Sequence, residues 1–357
     1  MKITDISWKP ERLPLKTPFK YAADTLYFLD YARVTVSTDS GWAGCGHVAI
    51  APESTGDTLE SVAGAVGILR TRLRGHDPNE TELLVDLMDS ALNFNSACKA
   101  AIEAATLMIR SEAAQQPLHK LIGSKLNDRI RITYTLGIQN PETIADEARR
   151  AINRGFKRLK VKVNNDIKRA HQALSAIRSV DAHIGLSVDA NQSWVRAEDA
   201  ICIIRELEKY GLDWVEQPIR IHDINGNAVI RRALPGVKLM LDESVQSYNE
   251  CEYAIEHEAL DMVCIKLAKT GGVTHAKKLI RICEDNGKEY VLASMIESVL
   301  ANAVAIHLAA CYRFSACEAG GLYLISQDIA SGLPLEEGSV RVPDGPGLGV
   351  LLSREPR

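Results

Sequence analysis

Five ionisable residues recur at near-equal intervals in the second half of the chain. Lys162, Asp189, Glu216, Asp242 and Lys266 follow one another at steps of 27, 27, 26 and 24 residues. Each ends a short apolar run and precedes turn or helix-start residues, as in SVDAN, WVEQP and LMLDES. Three carboxylates gathered in one place repel unless neutralised, and such a set suits a hard, oxygen-seeking cation, Mg²⁺ above all, which keeps positions open for water or substrate. Lysines stand at both ends of the series. Two lysines on opposite sides of one carbon can take a proton from one face and return one to the other. A free lysine, with a pKa of ~10.4, is a poor base at pH 7, so the arrangement needs a neighbouring cation and burial. Lys160, two residues before Lys162, is such a neighbour. The blander readings are that Lys160 and Lys162 form a solvated strand face and that the carboxylates cap the helices after them. The common register of all five favours one joint site.

A step of about 26 residues is one strand plus one helix. From Gly123 onward the chain alternates strands (RIRITYTLG, FKRLKVKVN, HIGLSVDAN, LDWVEQP, VKLMLDES, LDMVCIKLAKT, KEYVLASM, RFSACEAGG) with amphipathic segments such as ETIADEARRAINRG. Eight such units predict an α/β fold of the (β/α)₈-barrel type, whose active sites lie at the C-terminal mouth of the strands. A doubly wound sheet fits less well, because no GxGxxG follows the first strand. Strand alternation sets Lys160 and Lys162 opposite Leu159, Val161 and Val163, and Lys266 opposite Ile265 and Leu267, so the charged set can point inward.

The first part of the chain reads differently. KITDISW and YARVTVST read as antiparallel strands, separated by Pro10, Pro14, Pro18 and a turn at Asp39–Gly41; helices follow from Ser54 to Gln115, one capped by Asn95 or Ser96. The organisation expected is an α+β capping domain over 1–125, a barrel over 126–320, and a loop-like segment over 321–357 that returns to the cap. TPFKYAADTLYFL, with Tyr21, Asp24 and Tyr27, has the composition of a mobile loop. KTGGVTHAKK could cradle a phosphate at a helix start, but is incomplete as a P-loop; its glycines read better as a turn.

Composition limits the rest. The 357 residues carry 42 basic and 46 acidic side chains, a formal charge of −4, with 46% hydrophobic residues. That excludes a disordered chain and a strongly basic nucleic-acid binder. The eight cysteines form no CxxC pair and no zinc spacing, which suggests a reducing compartment. No run approaches the ~20 apolar residues of a membrane span, and no signal-peptide core is visible, so a cytoplasmic protein is expected. The partners expected are a small-molecule carboxylate substrate and further copies of the chain, with no nucleic acid and no membrane.

In KVKVN, SVDANQSW, VEQP, LDES and IKLAKTGG, taken in order and spacing, the chain resembles the enolase superfamily, in particular its muconate-lactonising-enzyme-like subgroup. The resemblance covers essentially the whole length. It implies a modified TIM barrel with a capping domain, Mg²⁺ on Asp189, Glu216 and Asp242, and Lys162 and Lys266 as the acid/base pair. It also implies that Lys160 stabilises an enediolate, that Asn191 and Glu243 support the site, and that cap loops choose the substrate. IKLAKTGG and the MIES at Met295–Ser298 look most like dipeptide epimerases, isomerases that invert an alpha carbon by two-lysine proton transfer. Those enzymes carry Asp-x-Asp on the eighth strand to hold an ammonium group. Here Glu318 stands for the first Asp and Gly320 replaces the second. A dipeptide leads, and an N-substituted or cyclic amino acid fits the same core, as does a cycloisomerase or dehydratase (a lyase) on the same residues. Tyr21, Asp24, Glu297 and Glu318 are the expected substrate contacts, with Asp24 or Asp57 as a substitute ammonium partner.

Overall fold

A computed structural model describes residues 1–353. The final four residues of the expected returning segment, 354–357, lie outside the described residues. The chain opens with an antiparallel sheet of β1 (Ile3–Lys20), β2 (Thr25–Thr38) and β3 (Ala43–Ala49), in that order. Pro10, Pro14 and Pro18 do not break β1. It is an edge strand, where a missing N–H need not pair, and along the prolines the register shifts once, between Pro14 and Phe19. The segment expected as a mobile loop is therefore mostly strand, and only residues 21–24 turn between β1 and β2.

Four helices follow, α1 (Pro52–Thr55), α2 (Leu59–Leu73), α3 (Thr81–Ala91) and α4 (Ser96–Ala113), and the last three share one apolar cluster with the sheet. The alanines of α4 have a steric reason. Gly44 and Gly46 bring β3 so near that a Cβ on either would lie 2.0 Å from the Ala105 carbonyl oxygen or 1.8 Å from that of Ala101. Asn95 takes the N-cap position of α4 in a left-handed conformation but gives no side-chain cap. The Asp57 carboxylate does so from outside, accepting from the Ala97 N–H at 3.1 Å and the Ser96 hydroxyl at 3.4 Å.

Beyond α5 (His119–Ile122), the single strand read at 129–137 is two. β4 (Arg129–Arg131) pairs antiparallel with Ser339–Arg341, while β5 (Tyr134–Leu136) opens the barrel. The ring continues through β6 (Arg158–Lys162), β7 (Gly185–Asp189), β8 (Trp214–Glu216), β9 (Lys238–Leu241), β10 (Met262–Lys266), β11 (Glu289–Ala293) and β12 (Ala316–Cys317), all parallel and in sequence order. A parallel bridge from Ile132 to Cys317 joins its ends. Helices alternate with the strands: α6 (Pro141–Asn153), α7 (Ile167–Val180), α8 (Ala197–Leu207), α9 (Ile224–Ala233), α10 (Tyr248–Glu256), the short α11 (Leu267–Thr270), α12 (Val273–Asp285) and α13 (Val299–Cys311).

Alternation sorts the strand residues into two layers. Trp214, Met240, Met262, Cys264, Val291 and Ala293 form their own apolar cluster, while Val215, Leu239, Leu241, Val263, Ile265 and Leu292 belong to the main core with the helices. Glu216, Asp242 and Lys266 each lie two residues beyond a member of the first cluster, so they continue the inward face one layer higher. The segment expected as a loop after 321 contains short strand pairs instead, Ala330–Ser331 with Leu351–Leu352 and Leu335–Glu336 with Ser339–Arg341. It also meets β1 through a Leu15–Ile325 bridge.

Candidate active site

Between cap and barrel mouth lies a cavity of ≈ 480 Å³. Lys160, Lys162, Asn191, Glu243, Lys266 and Glu318 form its barrel side, and Tyr21, Asp24, Glu53 and Glu60 are among the cap residues facing them. Asp189, Glu216 and Asp242 are fully buried beneath it. Register explains the gathering: Lys162 pairs with Asp189 and Asp189 with Glu216 on successive strands.

The buried charges are closely interlocked. Lys162 Nζ donates to Asp189 Oδ2 at 2.7 Å and to Asn191 Oδ1 at 2.9 Å. Lys160 Nζ lies 3.1 Å from Asp189 Oδ2, 2.6 Å from Glu216 Oε2 and 2.9 Å from Glu318 Oε2. On the opposite side Lys266 Nζ donates to Asp242 Oδ2 at 2.5 Å. Asn191 Nδ2 reaches Glu243 Oε1 at 3.3 Å. Burial alone would raise Asp189, but Lys162 and Lys160 override it and hold the carboxyl below its usual range. Asp242 is likewise buried, and Lys266 and Lys269 hold it low. Burial would push Lys160 down; Glu216, Glu318 and Asp189 pull it well up instead. Lys266 moves up in the same way, against burial, because of Asp242. Glu216 is raised by burial and then by Asp189.

The donor set fits a hard divalent cation. Glu216 Oε1 has no hydrogen-bond partner, and Oε2, although near Lys160, is not aligned to accept from it. A buried carboxylate left so incomplete costs free energy unless something charged meets it. Ligand atoms of Glu216, Asp242 and Cys264 lie within 4.8 Å of one another. Cys264 is a poor donor for such an ion: burial holds its thiol protonated, and sulfur suits softer metals. Asp189, the remaining carboxylate of the expected trio, turns towards the two lysines of β6.

Several residues at the mouth hold strained backbone. Asn191 (φ 40°), Gln192 (φ 68°), Gln217 (φ 38°) and the β-branched Ile296 (φ 63°) all lie in the left-handed region, which clusters at functional sites. The Tyr31 hydroxyl of the cap holds the Ile296 carbonyl at 2.6 Å.

Some expectations need correction. Glu297 does not line the cavity. Its carboxylate accepts from the Ala49 N–H at 2.9 Å, in the seam between β3 and the loop after β11, where it borders a small void of ≈ 30 Å³. Asp57 caps α4 and is no ammonium partner, whereas Asp24 does line the cavity. Tyr21 lines it too, with its hydroxyl 3.2 Å from Glu53 Oε1, while Tyr27 is 63% exposed and does not line it. The start of α12 is not free for a phosphate, because the Glu103 carboxylate fills it. Reasoning from the sequence missed Lys269, whose Nζ donates to Asp242 Oδ1 at 2.9 Å and to the Cys264 carbonyl at 2.8 Å. It missed Gln217 as well, which accepts from the N–H groups of Asp242 (3.0 Å) and Ser244 (3.2 Å) and ties two strand ends together. The available signal was a second lysine one helical turn after Lys266, and a polar residue wedged between Glu216 and Pro218.

Comparison with known proteins agrees with this architecture. Residues 3–123 match the N-terminal domain of the mandelate racemase / muconate lactonizing enzyme family, and residues 143–356 match the enolase C-terminal domain-like family. An N-succinyl-L-Arg/Lys racemase of Bacillus cereus is 32% identical over 99% of this chain and 96% of its own, and its crystal structure superposes with a TM-score of 0.95. An L-Ala-D/L-Glu epimerase of Clostridium acetobutylicum is 32% identical over 98% of this chain and 99% of its own. A dipeptide epimerase of Enterococcus faecalis, solved with Mg and L-Leu-L-Tyr, superposes with a TM-score of 0.93 at 29% identity, covering 98% of this chain and 99% of that one. With matching sequence in both halves and the same fold throughout, the chain belongs to the mandelate racemase / muconate lactonizing enzyme family of the enolase superfamily.

Proposed function

We propose that this protein is a Mg²⁺-dependent racemase or epimerase that inverts the carbon alpha to a carboxylate. The observation that carries the reading is the pair Lys162 and Lys266, which line one cavity from strands four apart, with three buried carboxylates below them. Asp189, Glu216 and Asp242 would hold the cation. When bound, it would offset the negative charge that grows on the substrate carboxylate as the proton leaves.

The chain's own residues move the proton. Whichever lysine is neutral takes the α-proton; an N–H bond forms as the C–H bond breaks, and the electron pair passes towards the carboxylate group. The opposite ammonium then gives its proton to the other face as the pair returns to carbon. The two lysines end with exchanged protonation states, ready for the reverse reaction. Lys160 supplies fixed positive charge beside the developing anion. Asn191 orients Lys162, and Glu243 in turn holds Asn191.

Dipeptides lead as substrates, with Tyr21, Asp24 and Glu318 as contacts. An N-acylated amino acid is the second reading, and one observation favours it: Gly320 offers no carboxylate, and Glu318, with Oε2 on Lys160, has one unpartnered oxygen, Oε1, to offer an ammonium group in place of a pair of carboxylates.

The test is α-proton exchange in D₂O with Mg²⁺, using L-Ala-L-Glu, L-Leu-L-Tyr and N-succinyl-L-arginine. Deuterium incorporation with inversion supports the reading, and the preferred compound separates the two substrate classes. Absence of incorporation from all of these would remove it, and full activity after exhaustive chelation would remove the metal role.

A further inference from the structure

The turn after Lys266 is fastened to the cap at several points. Ala268, two residues on, is counted in the cap's own apolar cluster with Ala101, Ile102 and Ala105 of α4. Gly271 (φ 89°) and Gly272 (φ 121°) then bring the chain against Glu103 of α4 so closely that a Cβ on Gly272 would lie 1.9 Å from Glu103 Oε2. Gly272 is the N-cap residue of α12 and has no side chain to cap with. Glu103 replaces it from the other half of the molecule: its Oε1 accepts from the Thr274 N–H at 3.0 Å and the Thr274 hydroxyl at 2.5 Å. It thereby meets donors that a helix start leaves open, at the positive end of the helix. One turn earlier on α4, Lys99 donates to Asp89 Oδ1 at 2.8 Å, and Asp89 Oδ2 lies 3.0 Å from His275 Nε2. The same short segment is anchored to the reaction site at its other end, through Lys266 and Lys269 on Asp242. The bonds that hold Lys162, by contrast, go to Asp189 and Asn191, both barrel residues.

Nothing about helix capping requires this design. A serine or aspartate in extended conformation is the common local cap, and the φ of 121° at Gly272 closes that route here. Instead a buried carboxylate crosses between the two halves, to the end of the turn that follows one of the two lysines, and it is remote in sequence from both.

We propose that Glu103 is a positioning residue for Lys266: through Thr274 and Gly272 it fixes the 267–272 turn, so that the cap builds one proton-transfer face and the barrel alone builds the other. The proposal rests on the two-lysine reading. Its signature is an effect on one isomer only, which general destabilisation would not produce.

The experiment measures α-proton exchange in D₂O with Mg²⁺ from the separate isomers of N-succinylarginine and of L-Ala-L-Glu and L-Ala-D-Glu. Lys162→Ala and Lys266→Ala identify which isomer each lysine serves. Glu103→Ala is expected to slow the Lys266-served isomer by about tenfold or more, while the other stays within about twofold, since a small misplacement of a reacting group is felt far more than its size suggests. Glu103→Gln keeps an acceptor for Thr274 and is expected to restore most of the loss. Equal slowing of both isomers, or of neither, overturns the assignment. If Glu103→Ala fails to fold, Thr274→Val takes its place, with the same one-sided slowing expected and equal slowing again fatal. A wild-type protein that exchanges no isomer removes the two-lysine reading itself, and this assignment with it.

Discussion

Lys162 and Lys266 occupy equivalent places at the mouth of one barrel, yet they are held by different parts of the molecule. Lys162 is braced within the barrel by Asp189 on the next strand and by Asn191 just beyond it. Lys266 leans on Asp242, and the turn behind it is gripped by α3 and α4 of the cap. Near-symmetry of strands therefore does not extend to their support. The cap does more than close the cavity: it also meets the turn that follows a reacting group.

The lysines themselves reveal the difference most directly. Replacing either one with alanine is expected to lower inversion by about 10³-fold, the scale of a lost general acid or base. Chiral chromatography measures the inversion, and the two variants are expected to retain deuterium exchange with opposite isomers. Retention of the same isomer by both would mean that the lysines do not address opposite faces.

Next in size comes Gly272→Ala on the cap-held side. A left-handed φ and a methyl group driven into Glu103 together are expected to destabilise the fold by about 2–4 kcal/mol, read from the midpoint of urea unfolding. An unchanged midpoint would show that the cap and the turn are not in firm contact.

Glu297 makes the cap-held side sensitive to pH, since it sits in the same cap–barrel seam and borders the void that Lys266 also lines. Burial, opposed only by the Ala49 N–H, pushes its carboxyl up to about 8. In the folded protein it keeps a proton that the unfolded chain loses above about pH 4.5. Its contribution to stability is therefore complete below that value, declines by about 1.4 kcal/mol per pH unit as pH rises, and is gone above about pH 8. Denaturation midpoints compared across that range are expected to lose this slope in Glu297→Gln.

The smallest effect is expected from Asp57→Ala, which removes the outside cap of α4 and so loosens the start of the helix that carries Glu103. A loss of about 1 kcal/mol is expected in thermal melts, with the isomer served by Lys162 unaffected.

Much of this arrangement is legible in the residues. Lys162, Asp189, Glu216, Asp242 and Lys266 can be read because a parallel barrel repeats one strand and one helix per unit, and alternation along each strand decides which side chains point inward. Lys269, Glu103 and Gln217 were not legible in that way. Glu103 finds its partner 171 residues away, at no period; Lys269 and Gln217 find theirs about one barrel unit away, at 27 and 25 residues, but from a helical turn and a loop, where strand alternation gives a side chain no direction. Asp57 and Glu297 were misread for the same reason: an acidic residue in a loop looks equally suited to substrate, to a helix end or to a seam until its neighbours are known. Pro10, Pro14 and Pro18 read as breaks, although an edge strand tolerates them.

The sequence by itself determined the barrel, the capping region and the layer of charges at the mouth, because these follow from local periodicity and from matching phase in successive units. Only the tertiary structure decided which charges meet, which carboxylates serve helix ends and which half of the molecule holds each lysine. Those outcomes depend on close approach between segments distant in the chain, where a difference of one ångström separates a hydrogen bond from no contact.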